Sequence, residues 1–338
     1  MENVQSNKAP LISVILPVYN AGGYIKDSIQ SILDQSYHNF ELIILNDGST
    51  DNSAENIKSF NDSRIVYVEH ANMGLAATLN KGISMAKSEL IARQDQDDIS
   101  LPERLMKQVQ FMLNHPDVLL LGTWAEIFMD DGNVKGFHKH PSDPAILKLD
   151  LLFNNPFVHS SVMFKKNAVE KAGGYTVSKN YFEDYHLWSR LSEIGKVTNL
   201  PEILVRYRHH EKSLSKGGSY FTEDALFLQS QLNIENFLQK KSSVITDLSS
   251  IIHGRYRHFS GSSGEEMKNC LDEIGKRMME LYPDKPELIS ERIKQHKNVF
   301  GYTFNEYKLN KKKASGLNKF FNRIQNKLMG YHPYVINE

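Results

Sequence analysis

The strongest constraint on the fold of this chain is an alternation. Apolar, β-branched runs at Ile12–Val18, 40–45, 64–69 and Leu90–Arg93 are interleaved with segments whose apolar residues recur at helical spacing. Ile25, Ile29, Ile32 and Leu33 mark one helical face, and Leu75, Leu79 and Ile83 mark another. Strands and helices in turn at this pace imply a mostly parallel sheet with helices on both faces. In such a sheet ligands lie beyond the carboxyl ends of the strands. Asp47 follows the second run and Asp95 the fourth, so two acidic loops fall on one rim. No Gly-x-Gly-x-x-Gly follows the first run, which counts against a dinucleotide-binding domain.

The fourth run ends in Asp95-Gln96-Asp97-Asp98. Three carboxylates in four residues repel one another unless a cation or solvent neutralises them. Hard divalent cations take oxygen ligands, commonly one or two carboxylates plus the phosphates of a substrate. An Asp-x-Asp at a strand's end therefore reads as a site for a metal-bound diphosphate, beside the plainer alternative of a solvated acidic loop. It is not an EF-hand loop, since the sixth-position Gly and twelfth-position Glu are both missing. Ser100, Pro102 and Glu103 then form the pattern of a capped helix start, ahead of an apolar face of Leu101, Leu105, Val109 and Met112.

Further on the pattern loosens. A strand is expected at 118–122, a hairpin turn at 129–133, a strand at 161–164 after Asn154-Asn155-Pro156, and a turn at Gly173-Gly174. Glu183-Asp184 opens a helix carrying Leu187, Leu191 and Ile194. Lys216-Gly217-Gly218-Ser219 looks like a boundary, dividing the chain into 1–215 and a helix-favouring 216–338. Lys and Arg together number 40, as do Asp and Glu, and this zero balance argues against a dedicated nucleic-acid binder. The single cysteine, Cys270, excludes a disulfide framework and a cysteine-based zinc site. The polar first ten residues lack the apolar stretch of a signal peptide, and no run reaches the roughly twenty apolar residues that span a bilayer. A cytoplasmic protein is expected. Residues 308–327 hold seven basic residues and no acid; Leu317, Phe320, Phe321, Ile324 and Leu328 share one helical face. That tail suits either the anionic inner face of a plasma membrane, as a peripheral attachment, or packing on the rest of the chain.

Six motifs in a fixed order carry a resemblance. They are Val14-Ile15-Leu16-Pro17-Val18-Tyr19-Asn20, Asn46-Asp47-Gly48-Ser49-Thr50-Asp51, and Asn72-Met73-Gly74-Leu75 through Asn80-Lys81-Gly82. Then come Ile91-Ala92-Arg93-Gln94-Asp95-Gln96-Asp97-Asp98, Gly173-Gly174-Tyr175, and Glu183-Asp184-Tyr185-His186-Leu187-Trp188. Together, over about residues 10–215, they resemble an inverting family 2 glycosyltransferase of the GT-A fold. The resemblance implies a nucleotide-diphospho-sugar donor, a UDP-sugar, with a divalent metal (Mn or Mg) and a hydroxyl of a glycan or lipid-linked acceptor in cell-surface polysaccharide synthesis. It places Pro17, Tyr19, Asn20, Asp47, Arg93 and Asp95 around the donor, with Asp47 toward the base and Asp95 toward the ribose. Asp97 matches the metal ligand and Asp184 the catalytic base; His210 lies near where some such enzymes have a further metal ligand.

Other readings stand beside these. Asp47 could be a turn residue next to Gly48, and His210 a surface histidine. His159 could approach the acceptor or be structural. Trp188 could stack on a sugar, but at helical spacing it suits the core. At a helix start the macrodipole favours ionised Asp184, which predicts a low pKa. The whole could also be a non-catalytic sugar-nucleotide-binding module, or a phosphotransferase using Asp-x-Asp. The phosphotransferase is opposed by the first strand, which ends in Pro17-Val18-Tyr19-Asn20 rather than in that motif.

Overall fold

The computed structural model describes residues 11–178, 180–210 and 224–310. The first part runs β1 (Ile12–Val18), α1 (Tyr24–Leu33), β2 (Phe40–Asp47), α2 (Ser53–Lys58), β3 (Ile65–His70), α3 (Leu75–Met85) and β4 (Leu90–Arg93). A two-residue β5 (Ile99–Ser100), α4 (Arg104–Asn114), a hairpin of β6 (Val118–Phe128) with β7 (Val134–His138), and α5 (Pro144–Asp150) follow. Then come β8 (Met163–Lys165), α6 (Lys166–Lys171), α7 (Glu183–Ile194) and β9 (Lys196–Arg208). Four longer helices close the described chain: α8 (Ala225–Leu238), α9 (Ser243–Ile252), α10 (Gly264–Leu281) and α11 (Pro286–Asn310).

All nine strands belong to one sheet, ordered β3-β2-β1-β4-β8-β6-β9-β5, with β7 on β6. The β3-β2-β1-β4 half is parallel, as the interleaved runs require, and β6 and β9 are also parallel. β5, β7 and β8 pair antiparallel. Successive strand residues face opposite sides. Ile12, Val14 and Leu16 therefore pack with Ile25, Ile29, Leu105 and Val109 on one face. Ile15 packs with Leu79, Ile83, Leu187, Trp188 and Leu191 on the other. Helix α3 sits so close to β1 that a Cβ on Gly82 would meet Ile15 Cγ2 at 2.7 Å, so only glycine fits there. Trp188 is fully buried, which is the core reading of that residue.

One local expectation fails. Ser100 does not cap a helix: α4 starts at Arg104 with Glu103 at its N-cap and no side-chain cap bond. Ser100 pairs with Val205 in β5, and its hydroxyl donates to Gln94 Oε1 at 2.7 Å. The competing demand is Arg104, a guanidinium with no exposure, whose Nη1 donates to Ser100 Oγ at 2.8 Å and to Gln94 Oε1 at 3.0 Å. A buried cation that must be saturated outweighs a cap that water could replace. Three short helices, α2, α5 and α6, were also absent from the sequence reading. α2 has six residues, and α5 starts where Asp143 accepts from Ala145 N and Ile146 N with Pro144 behind it.

The closing helices share a core with α5: Leu149, Leu152 and Phe153 pack with Ile234, Leu248, Leu271 and Phe300. Asp150, 1% exposed, joins them through Arg292 Nε at 2.8 Å and His296 Nε2 at 3.2 Å. The expected boundary at Lys216–Ser219 and the basic tail around 317–328 lie outside the described residues. No described helix is long and apolar enough to cross a membrane.

Candidate active site

The loops after β1, β2 and β4 open into a cleft of about 1010 Å³, whose other wall is built from residues 138–140, 154–159 and 182–184 with Tyr207 and His210. Pro17, Tyr19, Asn20, Asp47, Arg93, Asp95, Asp97, Asp184 and His210 all line it. The first-strand loop is tied to its neighbours by side chains. Asn20, in the left-handed region at φ 50°, accepts from Thr50 N at 2.8 Å, while its own N–H donates to Ser49 Oγ at 3.0 Å. Tyr19 N donates to Gln96 Oε1 at 2.7 Å. Asp47 accepts from the backbone N–H groups of Met73 at 2.6 Å and Gly74 at 2.9 Å, so it pins the loop into α3 rather than serving only as a turn residue. Gly48, at φ 71°, allows the close approach: a Cβ there would meet Asn72 N at 2.7 Å.

The acidic stretch divides its three carboxylates among three tasks. Asp95 forms an ion pair with the guanidinium of Arg93. Burial raises the Asp95 carboxyl above its ordinary range while Arg93 pulls it down. Asp97 faces the cleft, its Oδ2 2.8 Å from His210 Nε2, and His210 stacks on the Tyr24 ring at 4.8 Å. Asp98 turns inward, 1% exposed, accepting from Arg208 N at 2.8 Å and from the Ser160 hydroxyl. Burial, with Asp97 and Asp95 nearby, raises Asp98 well above the usual carboxylate range. Beneath the loop, Arg104 donates to Arg93 O at 2.6 Å and Val162 O at 3.2 Å. Burial, helped by the Arg93 charge, lowers its guanidinium to about 9.

Asp184 stands at the start of α7. Its Oδ2 accepts from Asn155 Nδ2 at 2.8 Å and its Oδ1 from Tyr185 N at 2.6 Å. His159 Nδ1 lies 4.0 Å from Asp184 and 3.9 Å from Glu183, with Nε2 2.9 Å from the Tyr175 hydroxyl. The low pKa expected for Asp184 is not found. Burial raises it, and the bonds from Tyr185 N and Asn155 and the Arg93 charge offset this only in part. Glu183 is raised to about 8 by burial and by the Asp184 charge. A helix dipole is worth about 0.3–1 kcal/mol, less than one pKa unit, whereas full burial can shift a group by several. Desolvation by the surrounding protein holds His159 well below its ordinary value, so it is neutral at neutral pH.

With this geometry established, comparison with known proteins is specific. The model of the family described as "Glycosyl transferase family 2" matches residues 13–173. The O-antigen biosynthesis glycosyltransferase WbnJ of Escherichia coli is 36% identical over 249 residues, 72% of this chain and 94% of WbnJ. The chain belongs to glycosyltransferase family 2. Two solved structures extend the likeness of fold to its helical end. Staphylococcus aureus TarS, solved with UDP-GlcNAc, superposes with a TM-score of 0.59 at 14% identity, covering 95% of this chain and 91% of that one. The mannosyltransferase PcManGT of Pyrobaculum calidifontis, solved with GDP-Man and Mn2+, gives 0.53 at 14% identity, covering 88% and 86%. The α/β architecture of this family 2 glycosyltransferase, with its helical C-terminal region, is the GT-A-like one its motifs imply.

The metal fit follows from the donor set. Among the described residues no three His, Cys, Asp or Glu side chains converge as a metal cage. The family 2 chain offers instead one carboxylate and one imidazole, Asp97 and His210, facing the cleft together. Mg²⁺ and Mn²⁺ bound chiefly through a diphosphate need few protein ligands, so this pair fits. Asp95, paired with Arg93, is not presented as a ligand. Several groups that build the site escaped the sequence reading: Asn155 on Asp184, Tyr175 on His159, Ser160 and Arg208 on Asp98, and Arg104 under the loop. The Asn-Asn-Pro turn was visible, but nothing in it pointed to α7.

Proposed function

We propose that this chain is an inverting glycosyltransferase moving a sugar from a UDP-sugar to a hydroxyl of a glycan or lipid-linked acceptor in the synthesis of a surface polysaccharide. The observation that carries this reading is one cleft lined by Asp97 and His210 at its strand-end rim and also by Asp184, which the Asn155 amide anchors. WbnJ acts in O-antigen biosynthesis and TarS was solved with UDP-GlcNAc, which supports the polysaccharide and the uridine donor.

In this reading Pro17, Tyr19, Asn20 and Asp47 surround the nucleotide and Asp95 faces the ribose. Asp97 and His210 would hold Mg²⁺ or Mn²⁺, which would supply positive charge to offset that of the departing diphosphate. Asp184 takes the proton of the acceptor hydroxyl as its oxygen bonds to the anomeric carbon; the bond to the diphosphate breaks on the opposite face, inverting the centre. Asn155 and the Tyr185 N–H both donate, so they leave the carboxylate a free lone pair aimed by two fixed bonds. Burial makes it a stronger base than a solvated aspartate. Residues 1–215 form the catalytic part and 216–338 the helical part, with the basic tail as a peripheral attachment to the cytoplasmic face of a membrane.

The test is a panel of UDP- and GDP-sugars incubated with the full chain in Mn²⁺, in Mg²⁺ and in excess chelator. Release of UDP from one sugar nucleotide, lost in chelator and stimulated by saccharide acceptors, is expected. Full activity in chelator, or no binding of any nucleoside diphosphate, contradicts the reading.

A further inference from the structure

Buried polar atoms without partners are rare in folded proteins, because each gives up hydrogen bonds it had in water. Among those on residues that line the cleft are Thr78 Oγ1, Arg93 Nε and Glu183 Oε2. Their residues are 0%, 2% and 7% exposed. They come from α3, β4 and α7, so no one turn or cap accounts for them. The fold does not use them either. Arg93 meets Asp95 through Nη1, and Glu183 approaches His159 through its other oxygen, Oε1, at 3.9 Å.

The chemistry of the set is narrow. It offers an N–H donor that cannot accept, a carboxyl oxygen, and a hydroxyl that does both. Adjacent hydroxyl groups satisfy all three, since each hydroxyl donates once and accepts as well. Position narrows the choice further. Arg93 pairs with Asp95 on the nucleotide side, and its charge also bears on Glu183 and Asp184. The transferred sugar has to occupy that interval, because its anomeric carbon links the diphosphate to the attacking hydroxyl.

We propose that Thr78, Arg93 and Glu183 form the pocket that reads neighbouring hydroxyl groups of the sugar being transferred, and so select the nucleotide sugar this chain uses. The inference rests on the glycosyltransferase reading above. Glu183, held at about 8, keeps its proton at neutral pH and can donate as well as accept. It is a specificity residue beside the base, not the base.

The test compares the parent with Thr78→Val and Glu183→Gln in equilibrium binding of UDP, UDP-glucose, UDP-galactose and UDP-GlcNAc, with Mn²⁺ present. Each variant should bind UDP within about twofold of the parent. Affinity for the sugar nucleotide the parent prefers should fall about tenfold for each hydrogen bond lost, and the preference among the three should narrow. Thr78→Val is isosteric and removes an unpartnered hydroxyl, so its melting temperature should hold or rise; it keeps the test open if Glu183→Gln folds poorly. A parental ratio of UDP-sugar to UDP affinity in Thr78→Val and in folded Glu183→Gln overturns the proposal. A parent that binds neither UDP nor any of these donors overturns the glycosyltransferase reading itself.

Discussion

Replacing Glu183 with Gln removes a buried acid whose proton is held far more tightly in the folded chain than in the unfolded one. Its folded value is about 8, against 4.5 for an ordinary glutamate. Between those values the folded state carries a proton that the unfolded state has released, so stability falls as pH rises through the window. At about 1.36 kcal/mol per unit, that difference sets a ceiling of roughly 5 kcal/mol. Relaxation and water entry will reduce it, and on the order of 2–3 kcal/mol is expected. The histidines tilt the curve the other way at lower pH. Burial depresses His138 to about 4 and His140 and His253 to about 3, so each favours folding more as pH rises toward 6.5. The Glu183 contribution is therefore isolated by the difference between parent and variant. Urea denaturation at pH 5 and pH 8.5 should find the parent losing stability relative to Glu183→Gln by that amount at the higher pH. An equal difference at both pH values, within about 0.5 kcal/mol, would refute the burial argument for this carboxyl.

Two other substitutions probe the supports. Asn155→Ala should lower single-turnover transfer about tenfold through misplacement of Asp184, leaving nucleotide affinity unchanged; transfer at the parental rate would show that the 2.8 Å bond does not position the base. Arg292→Ala strands the buried Asp150 carboxylate and should cost about 3–5 kcal/mol in chemical denaturation, whereas a loss under 1 kcal/mol would mean the pair does not hold α11 to α5.

The parts of this molecule visible in its sequence are those that repeat or are contiguous. Strands β1 and β4 end where the apolar runs end, because a buried parallel strand needs such a run on both faces. Asp47, Asp95 and Asp97 fall at strand ends, and topology alone puts strand ends on one rim. What stayed hidden depends on residues far apart in the chain. Asn155 meets Asp184 across 29 positions, and Arg104 reaches Val162 across 58, with no periodicity to announce either. Ser100 misled because local cap patterns are legible while the need of a buried guanidinium is not. The ionisation of Asp184 misled for a related reason: a helix start is written in the sequence, but the depth at which it is buried is not.

The central claim is that Asp184 removes the acceptor proton. Asp184→Asn keeps the shape and can keep one of the two hydrogen bonds the carboxylate accepts, but it cannot take a proton at neutral pH. The decisive measurement is single-turnover sugar transfer beside nucleotide-sugar affinity for the parent and this variant. Transfer should fall by about 10² to 10⁴ with donor affinity nearly unchanged. Transfer within a few-fold of the parent would contradict the account and remove Asp184 as the base.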